Sequence, residues 1–215
     1  MKSPIAFTLM FALGVFAFAV CPACAYSSDA VVAYQQGLSL IDVGNYTGAV
    51  QAFDYAIALE PTYFEAWNGK ADAFNRAAQF TDALNASDQA LAINPQYVMG
   101  WINHGYILYN LGRYQEELEA YDRAIAIDPN NATAWFDKGY ALGGDEKKWD
   151  EALQAFSKVQ ALDPNYPNLQ ANINIAQQNL DASTPLYVKY APAIVATVVI
   201  VAGAGFWLYA VRKKY

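Results

Sequence analysis

Cysteine is nearly absent from the 215 residues: there are two, Cys21 and Cys24, both within the first 25 positions. Past that segment the chain can form no disulfide, no thiolate nucleophile and no cysteine-based zinc site. Histidine is scarcer still. His104 is the single one, it takes the inward position beside Gly105, and no second ligand type lies near it in the pattern. A packed imidazole is expected there rather than a metal ligand or a general base. No Ser-His-Asp set, phosphate loop or H-E-x-x-H occurs. The chain therefore reads as non-enzymatic, with no metal and no cofactor. Positive charge is also in short supply. The formal net charge is −7, and residues 26–185 hold 20 acidic against 8 basic side chains, a net of −12. That excess repels phosphate backbones and argues against nucleic acid as a partner.

What the chain does have is a period. Four similar stretches end at Pro61, Pro95, Pro129 and Pro164, at spacings of 34, 34 and 35. A fixed period of this size means stacked supersecondary units, each unable to bury its apolar face alone. The clearest copy runs from Trp101 to Pro129. Trp101, Gly105 and Leu108 share one helical face. Gly112 stops that helix, since glycine accepts a positive φ cheaply. Tyr114 opens a second run with Leu118, Tyr121, Ala124 and Ile127 on one face. Asp128-Pro129 ends it, because proline cannot donate and pushes its predecessor out of the α region. Gly105 and Ala124 leave no bulk where the two helices cross. The corresponding residues elsewhere are Ala33, Gly37, Phe53 and Ala56; Trp67, Ala71, Ser87 and Ala90; and Trp135, Gly139, Phe156 and Val159.

These co-spaced positions resemble the tetratricopeptide repeat (TPR) family, whose pattern is W-x2-L-G-x2-Y, then A-x3-F, then P. The resemblance spans about Ala30 to Pro164. It implies an all-α, right-handed α-solenoid of four TPR helix pairs, in units of about 30–63, 64–97, 98–131 and 132–165. Three departures stand out: Ala33 for tryptophan, Ser87 for the aromatic, and one extra residue within 143–148, which predicts a longer turn in the fourth unit. A C-terminal capping helix is expected over 166–181. Its stripe is Leu169, Ile173, Ala176 and Leu180, with amide-rich residues on the other face.

Both ends predict membrane placement. Lys2, the uncharged run Ile5 to Val20 and Ala23-Cys24-Ala25 read as a signal peptide over 1–25, with an uncleaved anchor as the rival. After a linker at 182–190, residues 191–211 carry no charge and would span about 31 Å as a single transmembrane helix. Tyr187, Tyr190, Trp207 and Tyr209 flank it, and the basic tail at 212–215 places that end in the cytoplasm. The lipid bilayer is thus an expected partner, with the repeats extracytoplasmic.

In the family the first helix of each unit lines the concave face. That register implies a peptide-binding groove of Tyr34, Asn68, Asp72, Arg76, Ile102, Tyr106, Tyr109, Phe136 and Tyr140. Its third and fourth units form an aromatic wall suited to a protein or peptide segment. The basic clamp for a C-terminal carboxylate, found in some members, is not matched, since those positions read Tyr34 and Leu38. Three sequons mark possible glycosylation at Asn45, Asn85 and Asn131. The expected function is a membrane-anchored, non-enzymatic scaffold binding a peptide. The alternative is a structural envelope or surface-layer component acting by self-association.

Overall fold

The computed structural model describes residues 26–144 and 147–183. Among these the secondary structure is entirely helical. Four pairs follow one another: α1 (Ser28–Asp42) with α2 (Tyr46–Leu59), α3 (Phe64–Arg76) with α4 (Phe80–Ile93), α5 (Val98–Asn110) with α6 (Tyr114–Ile127), and α7 (Ala132–Gly144) with α8 (Trp149–Leu162). A last helix, α9 (Leu169–Ser183), packs on α8 and α7. The odd-numbered helices touch one another in series from α1 to α9, whereas each even-numbered helix touches only odd-numbered neighbours. The stack therefore curves with α1, α3, α5 and α7 on its inner side.

Each pair is closed by the same backbone device. Two residues past the first helix the chain turns left-handed, at Gly44 (φ 76°), Ala78 (φ 58°) and Gly112 (φ 71°), and in the fourth unit it does so three residues past, at Lys147 (φ 54°). The next N–H then reaches back to the helix, as in Asn45 to Leu40, Gln79 to Phe74 and Arg113 to Leu108, at 2.8–2.9 Å. In the fourth unit the matching bond runs from Lys148 N–H to Leu142 O, 2.8 Å, one residue further. The extra residue is thus absorbed inside the turn, and the second helix starts in register.

Units are joined by a second device. The indole N–H of Trp67, Trp101 and Trp135 donates to the carbonyl of Pro61, Pro95 and Pro129, at 3.1, 2.9 and 2.9 Å. The proline that ends one unit is so tied to the tryptophan that opens the next. Asn94, Asp128 and Asp163 each accept the N–H two residues on, at 3.0 Å, which folds the connection as a tight Asx turn.

The small residues do what their spacing requires. A Cβ on Gly105 would lie 2.6 Å from the Tyr121 ring, and one on Gly139 would lie 2.7 Å from Phe156. Gly37 and Gly69 both face the Phe53 ring, at 2.5 and 2.7 Å. Phe53 is completely buried, so one aromatic locks two units together.

Several expectations are corrected. The solenoid stands, but the terminal membrane helix does not. Among the described residues no helix is long and apolar enough to cross a membrane. The stretches read as a signal peptide (1–25), a span (191–211) and a tail (212–215) lie outside the described residues, as does the linker from 184 onward. The bilayer as a partner, the anchoring and the extracytoplasmic placement therefore have no support in the structure. The last helix begins at Leu169 rather than at 166. Asn168 is left-handed (φ 59°) and Tyr166 N–H bonds to Asp163 O, so the chain turns once more before the helix can start. At the other end the Ser27 side chain caps α1, accepting from Ala30 N–H.

Candidate functional site: the concave groove

Two adjoining hollows open on the inner side of the curve. The first, of about 370 Å³, lies between α5 and α7 with α6 beneath. Its walls are Tyr106 and Tyr109 from α5 and Phe136 and Tyr140 from α7. Its remaining lining is Glu117 and Tyr121 from α6 and Asp137 from α7. The second, of about 330 Å³, is bounded by Tyr34 and Leu38 from α1, Asn68 and Asp72 from α3, and Met99 and Ile102 from α5. Gly69 and Asn103 complete it, and Tyr106 and Asp137 line both hollows, which makes the groove continuous.

The walls differ in how tightly they are held. Tyr106 and Tyr140 are half exposed, at 51 and 52 %. Tyr106 stacks on Tyr109 with the rings 6.2 Å apart and 13° from parallel. Phe136 leans on Phe156 and Tyr166, and Tyr34 leans on Phe53 and Tyr63, so these two rings serve core and groove together. Aromatic surface left open at the centre of a concave face is the kind that a bound chain covers.

The lining also carries negative charge in an unusual place. Glu117 is 2 % exposed and occupies the register where the other units hold Ala49, Ala83 and Ala152, each fully buried. Its carboxylate bonds to the Tyr121 hydroxyl, and burial, together with Asp137 and Glu117, pushes that phenol well above its ordinary range. Burial likewise raises the Asp137 carboxyl from 3.8 to about 6. No lysine, arginine or histidine lines either hollow.

Of the nine groove residues expected from the register, Tyr34, Asn68, Asp72, Ile102, Tyr106, Tyr109, Phe136 and Tyr140 line a hollow. Arg76 does not. Its guanidinium is tied to Asp72, 2.9 Å away and one helical turn back. Asn68 has a second task, accepting 3.0 Å from the Asn103 amide, which stitches α3 to α5. The nine leave out Leu38, Gly69, Met99, Asn103, Glu117, Tyr121 and Asp137, which also line the hollows. Glu117 had a signal, since it breaks the small-residue pattern of the repeat. Asp137 shares its position with Gly69 and Asn103, which also face the groove.

The sequon asparagines fall at ordinary structural places. Asn45 and Asn131 cap α2 and α7, accepting from Gly48 and Ala134 N–H at 3.0 Å. Asn85 is exposed on α4, but the hydroxyl of its sequon, Ser87, is fully buried. His104 lies outside both hollows, in the register of Lys70 and Lys138. Those lysines pair with Asp54 and Asp122 of the preceding second helix at 2.6 and 2.5 Å, and His104 stands 3.7 Å from the matching Asp88.

Two TPR family models match this chain. Residues 34–97 match the tetratricopeptide repeat model and residues 105–144 a further TPR repeat model. Solved structures share the same TPR-like solenoid. MamA from Desulfovibrio magneticus RS-1 is 18 % identical, with 74 % of this chain and 94 % of that chain covered, at a TM-score of 0.58. YrrB, a TPR protein with an unusual peptide-binding site, is 22 % identical over 72 % and 79 % of the two chains, at 0.57. The first TPR of Spaghetti (RPAP3), bound to the HSP90 peptide SRMEEVD, is 23 % identical over 54 % and 91 %, at 0.51. At these identities the likeness is one of fold. No curated protein matches the sequence. Among the described residues no group of three or more His, Cys, Asp and Glu is placed to hold a metal.

Proposed function

We propose that this chain is a scaffold that holds an extended peptide segment in its concave groove. The observation that carries the reading is the continuity of the two hollows through Tyr106 and Asp137, with Tyr106 and Tyr140 open to solvent. An extended chain laid along α1, α3, α5 and α7 would bury side chains against the rings. Two of the structural relatives support a groove of this kind, since YrrB has a peptide-binding site and the RPAP3 repeat carries a peptide. The RPAP3 ligand SRMEEVD is acidic at its end. The present groove is acidic itself, so a ligand of that charge does not suit it.

The test is selection of a displayed random dodecapeptide library on the full chain. Enrichment of a sequence family that binds wild type, and binds Tyr106→Ala/Tyr140→Ala at least tenfold more weakly, is the expected result. Both rings are half exposed, so the double variant should keep its melting temperature. No enrichment, or peptides that ignore the double variant, would overturn the reading.

A further inference from the structure

The chemistry of the first hollow says what kind of side chain it takes. Glu117 and Asp137 come from different helices, α6 and α7, and both line one cavity of about 370 Å³. Four aromatic residues wall that cavity, and no basic group lines it. Glu117 already accepts from the Tyr121 hydroxyl, and a positive charge brought beside a buried carboxylate stabilises it further. At this register alanine serves in three of the four units, so the glutamate is not a requirement of the fold. Aromatic faces around carboxylates form a surface complementary to an ammonium or guanidinium, which the rings attract through their quadrupoles and the acids through charge. The adjoining hollow adds Asp72 and, like the first, contributes no cation of its own. The nearby cations are already engaged, Arg76 with Asp72 and Lys138 with Asp122.

We infer that the hollow between α5 and α7 is the specificity pocket of the groove, and that it seats a lysine or arginine side chain of the bound peptide between Tyr106, Phe136 and Tyr140, above Glu117 and Asp137. The inference rests on the peptide-binding reading and deepens it. The apolar stem of such a side chain lies against the rings while its charged end reaches the acids. Burial of Glu117 then has a function in place of a mere cost.

The same displayed library separates this inference from the reading beneath it. Peptides enriched on the full chain should share a basic residue at one fixed position. Replacing that residue by norleucine should weaken binding at least tenfold. Glu117→Ala restores the residue of the other units and is expected to fold. It should lose the preference for the basic peptide over its norleucine form while still binding both. Enriched peptides with no shared basic position would overturn the specificity assignment and leave peptide binding intact. An unchanged preference in Glu117→Ala would also overturn it. No enriched peptides at all would remove both.

Discussion

The imidazole of His104 hydrogen-bonds to the hydroxyl of Ser87, Nδ1 to Oγ, at 3.0 Å. Each of these residues breaks the repeat. Ser87 stands where the other units carry Phe53, Tyr121 and Phe156, and His104 stands where the second and fourth carry Lys70 and Lys138 and the first carries Gln36. The two exceptions meet between the second and third units, where Trp101 also lies edge-on to the His104 ring, 5.8 Å away. One irregularity thus answers the other, and the solenoid crosses the site without a fault.

That contact predicts a double-variant result. His104→Leu alone leaves a fully buried hydroxyl without its imidazole, at a cost of about 1–3 kcal/mol. Adding Ser87→Ala removes the stranded group, so the double variant should recover most of the loss. Denaturant melts of the three proteins read this directly. Two independent, additive losses would show that the residues are not coupled.

The same histidine gives a pH dependence of known sign. Burial lowers its folded pKa below the ordinary 6.5; Asp88 opposes this and Arg113 assists it. The unfolded chain therefore takes up the proton first, and the stability from this group is present above 6.5 and lost as pH falls below it. Asp137 acts the other way. Its folded carboxyl is raised from 3.8 to about 6, so its penalty is absent below 3.8 and complete above about 6. Asp137→Asn should consequently stabilise the domain at pH 7.5, by on the order of 2–3 kcal/mol, and leave it unchanged near pH 3.5. Melts at the two pH values decide it; equal effects at both would refute the burial account.

Ala78 offers the plainest backbone test. It holds the left-handed turn position that Gly44 and Gly112 fill in the flanking units, and it has a φ of 58°. An L-residue there is strained by about 1 kcal/mol relative to glycine. Ala78→Gly should raise stability by about that amount, less what glycine adds to the freedom of the unfolded chain. A fall in melting temperature would mean that the methyl group is packed.

The helical framework was legible because its signals are local. Helix α5 runs Val98–Asn110; Gly112 stops it and the Pro95 carbonyl holds its Trp101. The groove was legible in outline, since a family register names a face. Arg76 lies outside the two hollows, and a register cannot show the ion pair it makes with Asp72 within its own helix. The helix dipole favours an acid in a first turn, and that suffices to place Glu117 there. That account holds equally for Glu116, which is exposed and paired with Arg113. The two neighbours differ by 100° around α6, and only packing against α5 and α7 tells which is buried.

Taken alone, the sequence determined the number of repeats, their period and the ends of their helices. Each of these follows from the φ preferences of glycine and proline and from apolar spacing along one helix. The tertiary structure alone decided which side chains share a cavity. The hollow of Tyr106, Glu117, Asp137 and Tyr140 draws on three helices, and its charge and shape exist only once those helices have packed. It also decided that His104 answers Ser87, seventeen residues earlier, because the two meet only across the boundary between units.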